Sequence, residues 1–331
     1  MQADCLHMLS LGRTLIGEPR AALETARAAL AIRQAQTDAE DYPVAVAFGL
    51  NEGQYSLGLA YTLVDLGAYA EAVRVCEHGV ARMRALEMPY LLFWALDSLA
   101  VAQLALLQSD AAWQAGEEMR HLTQSLALPL LIYHANARLC AACVQSNDWT
   151  SAHAYALCAM EARQPLQAAD LTYHVLTAAL LRGGDAALAR EGLRRFGAVV
   201  GANRRFRIPY LRALATLAQW EGATAEAVTH LEEAQALAAQ IGLPGEQWQL
   251  AALLAQTYRD QGQVAQAERA QARTEGTLQA LAKGLPEPAL RASFLAAAER
   301  TRRSHIGGVA RSATAPDPGH GAGGPGLREH P

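Results

Sequence analysis

The sequence predicts an all-α fold: a right-handed α-solenoid, or superhelix, of about seven helical hairpins stacked in chain order. Three observations carry this. The chain is 51% hydrophobic but only 6% aromatic, with alanine and leucine supplying the apolar share, and such side chains favour closely packed helices. A turn residue is repeatedly followed by a helix whose small residues share one face. In Trp220–Ala234, for example, one helix closes at Gly222, which reaches the left-handed conformation at little steric cost. The next helix carries Ala227, Leu231 and Ala234 at i, i+4 and i+7. The pattern also recurs: from Asn147 to Gly184, Gly222 and Gly262 the steps are 37, 38 and 40 residues, a period that marks stacked helix pairs.

The elements follow in order. Residues 1–16 read as a first helix through Leu6, Leu9 and Ile16, turned by Gly17-Glu18-Pro19 into a second helix over 19–36. Residues 37–43 are a polar loop. A hairpin spans about 44–86, with its turn at Gly67-Ala68-Tyr69 and a small face at Ala72, Cys76 and Val80. The third, over 90–107 and 110–125, turns at Ser109-Asp110. Leu128-Pro129 opens the fourth, about 130–162, and Gln164-Pro165 the fifth, about 166–198. A loop over Gly197–Asn203 leads to Ile208-Pro209 and the sixth hairpin, ending near Gln240. Gly242-Leu243-Pro244-Gly245 opens the seventh, about 246–275. The prolines stand just before first helices, where a missing N–H costs least. Residues 276–303 form a last helical segment, so that 1–303 make the solenoid and its cap. Residues 304–331, rich in glycine and proline, are expected to be a disordered tail.

The units resemble the tetratricopeptide repeat, which sets a large residue then a small one in its first helix, a turn glycine, an aromatic two later and an alanine three beyond. Leu59-Ala60, Gly67, Tyr69 and Ala72 fit. So do Leu139-Cys140, Asn147, Trp149 and Ala152, and Leu254-Ala255, Tyr258, Gly262 and Ala267. The likeness covers about residues 1–275. The closing run, with Pro288, Leu290, Arg291, Phe294 and Leu295, is similar to the end of tetratricopeptide-like arms in bacterial signal-transducing ATPase regulators of the maltose-activator type, including LuxR- and SARP-like proteins. That resemblance implies a capping segment at the end of the stack. It also implies a non-catalytic arm in signal transduction or transcriptional regulation, detached from, or docking to, an upstream ATPase or regulatory domain.

Composition narrows the chemistry. A net charge of −4 offers no global attraction to nucleic acid or an anionic membrane. The one lysine, Lys283, follows no phosphate-loop glycines, which excludes a Walker-type nucleotide site from this chain. Five cysteines without disulfide-like spacing, and a start lacking a basic-then-apolar leader, point to the cytoplasm. Tyr90–Leu107 approaches the length of a membrane span, but Asp97 and Gln103 favour a buried helix.

Candidate sites are few. Cys140-x-x-Cys143 with His153 and Cys158 has metal-ligand types, yet the first two fall on core positions and no second pair exists. Buried small apolar residues are the plainer reading, and no metal or cofactor is expected. No His-Glu-x-x-His pair or glycine-flanked serine suggests catalysis. In the resembled family the concave surface comes from first-helix positions between the core residues; here these are Gln54, Tyr61, His134, Arg138, His174, Arg212, Gln256 and Arg259, a set suited to gripping a protein or peptide partner. Seven arginines between Arg190 and Arg212 are the densest charge feature. Arg194, Arg195, Arg204, Arg205 and Arg207 would form a patch for an anionic partner, unless Glu191 and Glu221 pair with some of the cluster. A structural scaffold, docking through the amino-terminal edge, is the alternative reading.

Overall fold

The computed structural model describes residues 2–37, 52–162, 171–201 and 203–306, and among them are fifteen α-helices and no strand. They pair as seven hairpins and a final helix. The hairpins are α1 (Gln2–Ile16) with α2 (Pro19–Thr37), α3 (Glu52–Asp65) with α4 (Tyr69–Ala85), and α5 (Pro89–Ala105) with α6 (Ser109–Leu126). Then come α7 (Pro129–Gln145) with α8 (Trp149–Ala162), α9 (Tyr173–Gly183) with α10 (Ala186–Val200), α11 (Arg204–Glu221) with α12 (Thr224–Ile241), and α13 (Pro244–Asp260) with α14 (Val264–Lys283). The last helix is α15 (Pro288–Ile306). The chain is thus an all-α solenoid.

All seven turns inside hairpins share one geometry. Gly17, Gly67, Leu107, Asn147, Gly184, Gly222 and Gly262 are left-handed. Each donates its N–H three residues back, and the next residue donates five back, as in Ala68 to Leu63 at 2.8 Å and Gln108 to Gln103 at 2.9 Å. This pair of hydrogen bonds satisfies carbonyls that a helix end leaves open. The third turn is therefore Leu106–Gln108, with Ser109 already in α6. A leucine stands where the other turns have glycine or asparagine, which hid it in the sequence.

Four further boundaries differ from the sequence expectation. α11 begins at Arg204 because the Asn203 side chain accepts from the backbone N–H groups of Arg205 and Phe206, at 3.1 and 3.2 Å, and Pro209 lies inside the helix. α9 begins at Tyr173 rather than near 166. α14 runs on to Lys283, because Thr274, Leu278, Leu281 and Ala282 continue the buried face past 275. α15 then reaches Ile306. Pro89, Pro129, Pro244 and Pro288 each open a helix as expected. The expected loop 37–43 (from residue 38 on), the start of the second hairpin at 44–51, the Gln164-Pro165 opening and the tail from 307 lie outside the described residues.

Alanines supply much of the buried face of the helices: Ala112, Ala152, Ala156, Ala227, Ala234 and Ala255 are fully buried. Helix α5, the membrane-like stretch, is buried almost all round, with Asp97, Ser98 and Gln103 inside. Among the described residues no helix is long and apolar enough to cross a membrane.

The coil also closes on itself. An ideal Cβ on Gly67 (φ +79°), in the second hairpin's turn, would lie 2.5 Å from a Leu281 methyl and 3.0 Å from Pro244, so the turn is pressed against the seventh hairpin. A core cluster joins Tyr69 and Leu106 to Trp248, Leu278, Leu285 and Phe294 across the seam. The rings of Tyr69 and Phe294 are 6.1 Å apart. The closing run therefore lands on the second and third hairpins as well as on its own neighbour.

Candidate binding site

The first helices of the hairpins line the inside of the coil, and their polar side chains form two chains of contacts. One centres on Asp97 of α5, which is fully buried. Arg138 of α7 donates from Nε to Asp97 Oδ1 at 2.8 Å and from Nη1 to Thr172 at 3.0 Å. Tyr61 of α3 donates its hydroxyl to Asp97 Oδ2 at 2.5 Å. His134 sets Nδ1 3.7 Å from the same carboxylate and packs edge-on to Trp94. Burial alone would raise the Asp97 pKa. Arg138, His134 and Tyr61 outweigh it and hold the carboxyl far below the usual range.

That shift has a testable sign. The unfolded chain takes up the Asp97 proton first, so this group's stability contribution is present above about pH 4 and is lost as pH falls below it. Unfolding midpoints should therefore drop between about pH 4 and pH 2, and Asp97→Asn should flatten that drop. Asp65 acts with the opposite sign, because burial holds its pKa above the ordinary value against the pull of Arg205.

The second chain of contacts spans the seam. Arg205 of α11 grips Asp65 of α3, 140 residues earlier, through Nε at 3.1 Å and Nη2 at 2.8 Å, and reaches Glu246 of α13 at 3.2 Å. Arg212 donates to Glu246 at 2.7 Å and to Gln249 at 2.9 Å. Asp65, Arg205 and Arg212 are buried, the Glu246 side chain is 12% exposed, and two positive charges face two negative ones. Burial would raise the Glu246 pKa, but Arg212 and Arg205 outweigh it and leave the carboxyl lowered.

These contacts sort the expected site residues. Tyr61, His134 and Arg138 come together at Asp97. Arg212, Gln256 and Arg259 come together in a small, solvent-open cleft of about 100 Å³ between α11, α13, α14 and α15, also lined by Trp248, Gln249, Gln271, Glu299 and Arg302. His174 is half-buried near the start of α9. The Gln54 side chain lies outside the described residues.

The expected anionic-partner patch is altered. Arg205 is buried and held by two carboxylates, so it presents no surface charge. Arg194 and Arg195 both pair with Glu191, at 2.8 and 2.6 Å, Arg207 pairs with Glu233 at 2.6 Å, and Arg204 bonds Gln240 at 3.1 Å. Each arginine of the patch thus has a partner within the chain. Cys140 and Cys143 lie in the core, where burial raises the Cys143 thiol to about 11. Cys158 is exposed, and His153 bonds Asp185 at 2.6 Å. Among the described residues no three ligand side chains converge on a metal position.

Sequence reasoning placed Asp97 in a buried helix without giving it a role in the site, and missed Asp65, Glu246 and Trp248. The available signal was a carboxylate at an inner first-helix position, where solvent exposure is not guaranteed by polarity.

No family model and no curated protein matches the chain. Among solved structures it is similar to the apo form of RapI, at a TM-score of 0.58 and 12% identity, covering 86% of this chain and 100% of that one. It is also similar to a Rap protein complexed with Competence and Sporulation Factor, at a TM-score of 0.65 and 11% identity, covering 86% of this chain and 76% of that one. At such identities the likeness is one of fold, an all-α solenoid of tetratricopeptide-like hairpins.

Proposed function

We propose that the chain is a non-catalytic binding arm that takes a protein or peptide partner on the inner face of its coil. The observation that carries this is the convergence of inner first-helix side chains, Arg212, Gln256 and Arg259, in one open cleft. Polar groups on a rigid concave wall suit an extended or small guest. The fold-level likeness to a Rap protein complexed with a factor supports the same reading. The setting we favour is cytoplasmic, in a bacterial signalling or transcriptional regulatory system, with docking to an ATPase or regulatory domain as the finer form. The test is affinity capture with the full chain and with Gln256→Ala/Arg259→Glu. Both replaced side chains border the cleft, and Arg259 is exposed. A specific partner should be captured by the first and lost by the second at an unchanged melting temperature; equal capture rejects the site.

A second reading has its own observation. Met8, Leu9, Leu15 and Ile16 of α1 are exposed, an apolar edge of the kind a scaffold docks through. Met8→Glu/Ile16→Glu should abolish capture if the edge is the docking surface and leave it intact if the cleft is.

A further inference from the structure

Helix α1 is turned inside out. Its inward face carries Ala3, His7, Ser10 and Thr14, so three of its four buried residues are polar. Ser10 donates to the Ala22 carbonyl at 2.9 Å, and Thr14 lies 3.0 Å from the Thr62 hydroxyl of α3. The outward face carries Cys5, Met8, Leu9, Gly12, Leu15 and Ile16, all exposed. Arg13, the one permanent charge between Cys5 and Ile16, turns away to the Ala21 carbonyl and Thr25. Among the described residues ten large hydrophobic side chains are exposed, and four of them, Met8, Leu9, Leu15 and Ile16, share this face. Single exposed leucines are ordinary; a continuous apolar stripe on a helix whose polar groups point inward is an interface.

The stripe is symmetric about Gly12. At about 100° per residue Gly12 falls at its middle around the helix as well as along it. Met8 and Ile16 stand four residues to either side, and Leu9 and Leu15 three. A glycine in mid-helix weakens the helix relative to alanine, and nothing inside the chain calls for one here: a Cβ built on Gly12 would meet no atom within 4 Å. An identical helix laid antiparallel across it supplies the reason. With the two-fold axis at Gly12, Met8 of one copy lies beside Ile16 of the other and Leu9 beside Leu15, and the glycines let the backbones approach. Opposite ends of the two helix dipoles then lie together. Such a pair removes on the order of 1,000 Å² of surface from water in total, the size of a reversible dimer.

We infer that the chain pairs with a second copy of itself through α1, the two helices antiparallel and Gly12 on the two-fold axis. This rests on the α1 edge being a docking surface and names its occupant. It is independent of the cleft, none of whose lining residues lies on α1.

The test is sedimentation of the full chain from about 1 to 100 μM. The parent should pass from monomer to dimer across that range. Gly12→Lys fills open space in the single chain but sets two charges against each other at the axis, so it should weaken pairing at least about tenfold with helix content retained. In a Cys5→Ser/Cys158→Ser background, with dissolved oxygen as oxidant, Gly12→Cys should form a covalent dimer. Leu9→Cys should not, because it is offset from its own copy by about 9 Å along the axis. The inference is overturned if the parent stays monomeric, if Gly12→Lys pairs as the parent does, or if Leu9→Cys cross-links as readily as Gly12→Cys. A monomeric parent whose α1 edge captures a different protein also overturns it, while leaving the docking reading intact. Gln256→Ala/Arg259→Glu should pair as the parent does; loss of pairing there would place the interface away from α1.

Discussion

Arg205→Ala should be the most damaging single substitution in the chain, costing about 3–5 kcal/mol of stability. It strands Asp65, 5% exposed, and removes one of two cations from Glu246, and a buried carboxylate without its partner is far costlier than the pair was worth. The damage should be local to the seam. Small-angle scattering should show a larger radius in the variant even where its helix content is unchanged. Replacing both partners, as Asp65→Leu with Arg205→Met, should recover much of the loss, because apolar groups of similar size often substitute for a buried ion pair at little cost. If Arg205→Ala melts with the parent, the seam does not close in solution.

Phe294→Ala should cost about 3–5 kcal/mol as a large-to-small change in a packed core. Phe294 is 1% exposed, and its ring meets Tyr69 from the other side of the seam. The same substitution removes a support of Trp248, so it should raise Trp248 exposure to a fluorescence quencher. Chemical denaturation and quenching together check it. Loss of stability without a change in quenching would mean that α15 packs on α14 alone. The two substitutions act on different faces of the seam, one ionic and one apolar, so their double variant reports whether the faces are coupled.

The repeat was legible because it is local. Each turn glycine and each small-residue face lies within a few residues of its partners, and seven hairpins with a final helix follow from that spacing. Leu107 escaped because a left-handed leucine has no signature of its own. Pro209 misled because the Asn203 cap, six residues earlier, sets the start of α11. The site was half legible. Arg212, Gln256 and Arg259 follow from the inner register of the first helices, and the structure gathers them. Arg205 was misplaced for a physical reason: among neighbouring arginines it looks like surface, and Asp65, from another turn of the coil, together with Glu246, makes its burial tolerable. Periodicity describes neighbours in sequence and is silent on where a coil meets itself.

That meeting sets a limit on how such a molecule can grow. An open stack tolerates the gain or loss of a unit, because each unit answers only to those beside it. Here Asp65 must arrive opposite Arg205 and Tyr69 opposite Phe294, and one hairpin more or fewer between them would rotate both pairs out of reach. The number of units is therefore fixed by geometry as firmly as the number of blades in a propeller, and change by duplication is confined to lengthening loops or the far end of the chain.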